Sequence, residues 1–442
     1  MDRRLFFYYI TVITVPFFSV SPWQKIANMP VGIIYGILVA INVALFRKEI
    51  FSSFVRSGKM GIYPATVILF IGVALVSFSV LVVSGAVRRE NFIRIAYLLF
   101  SGVVLWLNMV VPAQKEVLLR TVQVYIASAM VAAVYGIFVV IGYMVGLPTG
   151  LEVLWTVPRL LGTATEPQVF GNFMLTALPL SAAVYLFKPD RYNGKFLLWA
   201  FGIFMLALIM TFSAGAWAGA AVGCFMLVFF IRRFQVRRVL FLALACLLVV
   251  TSVLAIDRWI YPNYVAGFKS IMVKFTQKPP GQDLPQHTYE INMISVNDRK
   301  WLRAGAWNMF RVKPLFGVGF GNFGYLYNNY RPADTPKFDF YARAHNQYLE
   351  ILAEMGLLGF GALLAVLVQL VITVWKSLKY GPAQEIKGVI LGLFASLAAI
   401  GVHGYSFGIM FHNYVWVIMG LTYAACRLAV GRKGENCHEN RY

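Results

Sequence analysis

Charge is scarce in this sequence. Only 13% of its 442 residues are Asp, Glu, Lys or Arg, against roughly 25% in soluble proteins. Acidic side chains are rarest, 18 against 39 basic ones. A soluble domain of this length could not hide a 60% hydrophobic composition, so a soluble enzyme is excluded, and a disordered chain with it. Cysteine is equally sparse. Cys224 and Cys246 lie in apolar stretches, Cys426 near the end of another and Cys437 in the tail. No outer disulfide framework can be built from them. There is no D-x-D, no H-x-x-x-H, no internal repeat and no low-complexity tract. His403 and His412 are nine residues apart, with no cysteine pair nearby. A metal site therefore has no visible ligand set.

What the chain has is long apolar runs. A helix needs about 20 mainly apolar residues to cross a bilayer. Twelve stretches qualify, at about 5–20, 29–46, 62–84, 92–112, 119–146, 169–187, 196–212, 215–231, 239–256, 344–375, 386–404 and 408–426. Residues 196–231 carry no charge and are too long for one span, so they divide at Ser213-Ala214-Gly215. The expectation is an all-α integral membrane protein with about twelve transmembrane helices.

The net charge of +21 would point to nucleic acid in a soluble protein. Its placement says otherwise. With both termini cytoplasmic, the inner segments hold Arg47, Lys48, Arg56 and Lys59, and the run Arg232, Arg233, Arg237 and Arg238. The short outer segments hold Lys25, Arg88, Arg89, Arg94 and Arg159. This is the positive-inside bias, and no nucleic-acid partner is expected. The first stretch looks like a signal peptide but reads as a retained anchor, because Pro22 and Trp23 closely follow Ser19-Val20-Ser21.

The chain divides into helices one to nine (1–256), a large outer loop containing short helices (257–343), and helices ten to twelve with an inner tail (344–442). The loop carries 12 basic and 6 acidic residues. Long loops escape the positive-inside rule, so an anionic ligand or a solvated face must account for this basicity. Residues 277–286 read as flexible or extended, and residues 298–313 as an interfacial helix with Asp298 as N-cap. Arg299 and Arg303 are four apart and share a face of that helix. Two guanidinium forks match a diphosphate; they also match a pair snorkelling at lipid headgroups.

Gly319, Gly321 and Gly324 spell G-x-G-x-x-G, but no βαβ unit surrounds them. A dinucleotide site is not expected, and the glycines of the run after Pro314 read instead as a tight turn permitting close backbone approach. His345 falls at the outer N-terminus of the tenth span, where the helix dipole disfavours an imidazolium. It can be a neutral general base or a capping residue. Asn346 follows it. Glu350 and Glu354 lie in the same helix and must face protein or a wet cavity; they could pair with loop arginines, orient His345 or support packing. Arg159 and Glu166, in the outer segment before span six, form a structural ion pair or contact a phosphate or sugar.

Four motifs run in order on one membrane face: Arg159-Leu-Leu-Gly162-Thr163 with Pro167 and Asn172; Thr211-Phe212-Ser213-Ala214-Gly215-Ala-Trp217; Asp298-Arg299-Lys-Trp-Leu continuing through Pro314-Leu-Phe-Gly317-Val-Gly319; and His345-Asn346-Gln-Tyr-Leu349 with Glu354 and Gly356. With the spans and the loop, they resemble the bacterial O-antigen ligase and polymerase superfamily. Many members have an arginine after the serine where this chain has Ala214.

The resemblance implies a GT-C-like glycosyltransferase of the bacterial inner membrane, acting on its outer face. The donor would be a glycan on undecaprenyl diphosphate, and the acceptor lipid A-core, another glycolipid or a glycan. No metal or other cofactor is implied. Arg159 and Arg299, assisted by Arg303, would bind diphosphate and His345 would be the base. Glu166 is a second catalytic candidate; Asn346, Glu350, Glu354, Gly317 and Gly319 would support the site. A repeat-unit polymerase, a ligase to another envelope acceptor and a lipid-glycan transporter are the alternatives. Transporters favour internal repeats and broken helices at mid-membrane, whereas here the charges gather on one outer face.

Overall fold

The structure is a computed structural model. It describes residues 2–18, 25–26, 29–55, 62–83, 85–149, 158–187, 192–230, 236–262, 264, 296–333, 335, 337–338 and 341–439. Residues 277–286 and the cleavage region at Ser19–Trp23 lie outside these, as do the side chains of Asp298 and Cys437.

Helices account for almost all of it. In chain order they are α1 (Arg3–Phe18), α2 (Val31–Leu45), α3 (Arg47–Val55), α4 (Ile62–Val83), α5 (Arg89–Val110), α6 (Lys115–Met144), α7 (Pro167–Phe187), α8 (Gly194–Met210), α9 (Ala214–Val228) and α10 (Val236–Ala255). A π-helical turn, Ile256–Ile260, follows α10. Then come α11 (Val296–Val312), α12 (Phe323–Tyr330), α13 (Gln347–Lys379), α14 (Gln384–His403) and α15 (Asn413–Glu439). Two-residue strands at Lys25–Ile26 and Met29–Pro30 make one small antiparallel pair.

Each apolar stretch of the sequence holds a helix, in order. Among the described residues, eight helices are long and apolar enough to cross a membrane; Ile33–Leu45, α8 and α9 are shorter apolar helices. The fold is an all-α integral membrane architecture. The charge-free run divides where expected, with α8 ending at Met210 and α9 starting at Ala214.

Burial sets the layers. Nearly all of α7 is buried, as befits a helix apolar on every side. It packs against α8, α9 and α14, while α4 lies along α13 and α5 along α15. Outward faces such as Leu240, Leu244, Leu247 and Leu254 of α10 are exposed, an apolar belt that lipid would cover.

The tenth stretch is not one smooth helix. Gly356 takes φ 62° inside α13, and the chain after α11 docks into this break. Leu357 N–H donates to Pro314 O (2.8 Å), Val318 N–H to Ala353 O (2.8 Å) and Gly319 N–H to Glu354 O (2.9 Å). Gly317 has φ 69°, and a β-carbon there would sit 2.3 Å from the Glu354 carbonyl carbon. The expected close approach therefore exists, and what approaches is the backbone of α13.

Candidate functional site

Among the described residues, five segments meet at one end of the bundle: residues 85–88 before α5, residues 158–166, the α8–α9 turn, residues 299–333 with 341–346, and the α14–α15 turn. The site is built where they converge.

His345 precedes α13 and is half-buried. Asn346 caps the helix, its Oδ1 accepting the N–H groups of Tyr348 and Leu349 at 3.1 Å each. His345 itself has φ 45°, a left-handed conformation rare for a non-glycine residue and held only when its surroundings enforce it. The restraint comes from Glu350, the first-turn carboxylate of α13. It accepts Ala344 N–H (3.1 Å) and the guanidiniums of Arg343 (3.3 Å) and Arg94 (3.1 Å). Arg94 also reaches Glu354 at 3.3 Å, and Glu354 accepts Phe323 N–H at 3.0 Å. Thus Glu350 pairs with a loop arginine, one of the options the sequence left open, and both carboxylates pair with Arg94 of α5.

Arg299 and Arg303 stand on α11, whose Leu302, Ala306 and Met309 are fully buried in a small core with Phe323, Tyr327, Ala344 and Ala353. This packing fixes α11 beside the His345 turn. Trp307 on the other side is exposed. Arg303 donates to Tyr405 O at 3.1 Å and lies over the Tyr405 ring. Arg159 does something the sequence did not suggest. Its Nε and one Nη donate to Thr211 O (2.9 and 2.7 Å), and that Nη also to Phe212 O (3.1 Å). It binds the carbonyl end of α8, where a cation suits the helix dipole.

These charges act on one another. Burial, with the positive charges of Arg299, Arg343 and Arg303, holds the His345 imidazole at a pKa of about 3, against the weaker pull of Glu350. It is neutral at physiological pH. Burial beside Arg299 lowers Arg159 to about 10, so it remains a cation. Glu166 is exposed to solvent on one side yet crowded by protein on the other. That crowding raises its carboxyl pKa, while Arg343, Arg299 and Arg159 pull it down. The charged sequence candidates Arg159, Glu166, Arg299, Arg303, Glu350 and Glu354 and the imidazole of His345 thus act on one another in one electrostatic neighbourhood.

Arg94 and Arg343 were missed as site residues. Arg94 carried a signal, being a charge inside an apolar span. Behind the site, Asn172 Nδ2 lies 2.8 Å from His403 Nδ1, and Tyr414 donates to Asn172 Oδ1 at 2.8 Å. This fixes His403 in the packed core. Among the described residues, no three His, Cys, Asp or Glu side chains gather where they could hold a metal ion.

Residues 199–364 match the family described as O-Antigen ligase. The match runs from α8 into α13 and contains His345, Arg299 and Arg303. The chain is thus similar to that family over these residues, little more than a third of its length. A Bacillus subtilis (strain 168) protein named teichuronic acid biosynthesis protein TuaE is 31% identical over 143 residues, which is 31% of this chain and 28% of that protein. The chain therefore spans little more than a quarter of that relative's length.

Beside the His345 cluster lies a cleft of about 930 Å³, between α4 and the segment that docks on α13. Val73, Val76, Leu81, Phe316 and Met355 line it, and it also includes Arg88 and Lys313.

Proposed function

We propose that this O-antigen ligase-like protein is a glycosyltransferase that moves a glycan from undecaprenyl diphosphate to an acceptor hydroxyl on the outer face of a bacterial cytoplasmic membrane. The observation that carries this reading is a neutral histidine on a strained turn, surrounded by arginines. Around His345, the guanidiniums of Arg94, Arg159, Arg299, Arg303 and Arg343 outnumber the carboxyl groups of Glu166, Glu350 and Glu354. The surplus is positive, as an anionic leaving group requires.

The acceptor oxygen attacks the anomeric carbon, and its O–H proton passes to His345. The bond from that carbon to the diphosphate oxygen breaks, and undecaprenyl diphosphate leaves with the electron pair. Direct displacement inverts the anomeric configuration. Arg299, with Arg303, binds the diphosphate; Arg159 holds the α8–α9 turn and adds its charge. Glu166 contacts the sugar. The same arginines that bind the donor depress the histidine's basicity. A bound diphosphate offsets them and raises the His345 pKa, so the base becomes competent when the donor is present. The apolar cleft bearing Arg88 and Lys313 has room for the lipid part of the donor.

The acceptor is lipid A-core on this reading. The similarity to a teichuronic acid biosynthesis protein favours a second one, in which the same donor chemistry serves a repeat-unit polymerase or a ligase to another envelope acceptor.

Both are tested with purified protein, a defined undecaprenyl-diphosphate oligosaccharide and candidate acceptors, in chelator. The expected result is a new glycosidic product with release of undecaprenyl diphosphate. Movement of the donor across a bilayer without a new bond would make the protein a transporter and overturn the proposal. Loss of transfer in chelator, restored by a divalent ion, would overturn the metal-free mechanism.

A further inference from the structure

Two guanidiniums share one carboxylate oxygen beside the His345 turn. Arg94 Nη1 and Arg343 Nη2 donate to the same Oε1 of Glu350, at 3.1 and 3.3 Å, and both lie over the Phe411 ring at 5.1 Å. They are not equivalent. The Arg94 side chain is 6% exposed; it also holds Glu354 at 3.3 Å and covers the Tyr341 ring. The Arg343 side chain is 33% exposed, and the shared oxygen is its one hydrogen-bond acceptor among the described residues. Its seat is the α14–α15 turn, where Nη2 lies 2.8 Å from the place a β-carbon would take at Gly408. Without Arg343, Glu350 would still have Arg94 and the Ala344 N–H. Arg343 is therefore more than the fold needs to neutralise this carboxylate.

A guanidinium carries five N–H donors, and one long, shared bond leaves most of these for a ligand. The proposed reaction gives the diphosphate to Arg299, Arg303 and Arg159 and leaves Arg343 without a task. Direct displacement puts the attacking and leaving oxygens on opposite faces of the anomeric carbon, and the base belongs with the attacking one. Arg343 stands on the base's own segment, two residues before His345, and Glu350 binds both its guanidinium and the Ala344 N–H between them. It acts on the His345 imidazole, and of the cations acting on Glu166 it acts most strongly. These relations set it beside the acceptor hydroxyl. We propose that Arg343 is a specificity residue that binds an anionic substituent, a phosphate or a carboxylate, on the acceptor glycan next to the hydroxyl being glycosylated. This rests on the glycosyl transfer proposed above and narrows its acceptor to an acidic one. The bound anion would also offset one of the charges that depress the basicity of His345.

The test uses the purified full-length protein and saturating undecaprenyl-diphosphate oligosaccharide. Lipid A-core is the acceptor, in three forms: untreated, dephosphorylated, and with its carboxyl groups reduced to alcohols. Acceptor KM is measured for wild type, Arg343→Gln and Arg343→Lys. In wild type, one of the two treatments is expected to raise acceptor KM about tenfold or more, the loss of one charge-assisted hydrogen bond, and that treatment identifies the anion. In Arg343→Gln the untreated acceptor should show the same rise, and the preference between forms should vanish. Arg343→Lys keeps the charge without the fork and should fall between. Should Arg343→Gln fail to fold, as judged by gel filtration, Arg343→Lys decides on the same preference. Equal wild-type KM values for the three forms would overturn the proposal, as would a variant that keeps the full preference. A rise in KM common to all three forms, with a fall in Tm, would show a structural role only and overturn it too. Product from none of the forms would overturn the proposed acceptor, and this inference with it; product from all of them without preference would overturn this inference alone.

Discussion

At Arg94 a buried guanidinium is held by two buried carboxylates, Glu350 at 3.1 Å and Glu354 at 3.3 Å, and lies over the rings of Tyr341 and Phe411. Removing one partner of such a group is costly, because the charges left behind have lost both water and counterion. Arg94→Met is expected to lower stability by about 3–5 kcal/mol, read as a fall in Tm in detergent. An unchanged Tm would contradict the assignment. The sequence could not pair these residues. Arg94 is separated from its carboxylates by 256 and 260 positions, and no local spacing encodes that. His345 was legible because it sits beside its own helix start. Its environment was not, since Arg343, Arg299 and Glu350 act through space. The pH dependence follows from that environment. The folded pKa of about 3 is below the ordinary histidine value of about 6.5. Between the two, the unfolded chain binds the extra proton. The contribution of His345 to stability is therefore full above pH 6.5 and declines as pH falls toward 3. Substituting His345 by Gln should flatten this part of the stability–pH curve. A slope unchanged by the substitution would show that His345 does not titrate this way.

At the scale of elements, the informative feature is the break in α13. The sequence reads residues 344–375 as one span because apolarity does not register a single left-handed residue. What it did show were the glycines, and their reason is now specific. Gly356 has φ 62°, and a β-carbon there would lie 2.4 Å from the Leu315 carbonyl carbon and oxygen. Both the conformation and the space exclude a side chain. Gly356→Ala should destabilise the protein by more than about 1 kcal/mol and displace the Pro314–Gly319 segment. Gly361→Ala is the control in the same helix, since nothing lies within 4 Å of its β-position. It should leave Tm unchanged or raise it slightly. Equal losses from the two substitutions would contradict the docking argument. Arg159 teaches the same lesson in reverse. The motifs put it on the same face as the α8–α9 turn, but its bonds to the Thr211 and Phe212 carbonyls could not be read from them.

For the molecule as a whole, hydropathy carried most of the fold. Each apolar stretch became a helix because crossing lipid demands internally bonded backbone. The convergence of five inter-helix segments into one cluster required the packing of α7 against α8, α9 and α14, which hydropathy does not specify. The proposed orientation makes a further prediction. Reporter tags fused at either terminus should be accessible only from the cytoplasm, and a cysteine introduced at Trp307, on the exposed side of α11, only from outside. Labelling of that cysteine from the cytoplasmic side would invert the topology and with it the side of the reaction.

The central claim is that a neutral His345, set among donor-binding arginines, takes the acceptor proton during glycan transfer. The most direct measurement is single-turnover transfer by His345→Ala at saturating donor, with donor binding followed in parallel. The account predicts a fall in rate of about 10²–10⁴-fold, the usual worth of a general base, with donor binding retained. A rate within a few-fold of wild type would contradict it.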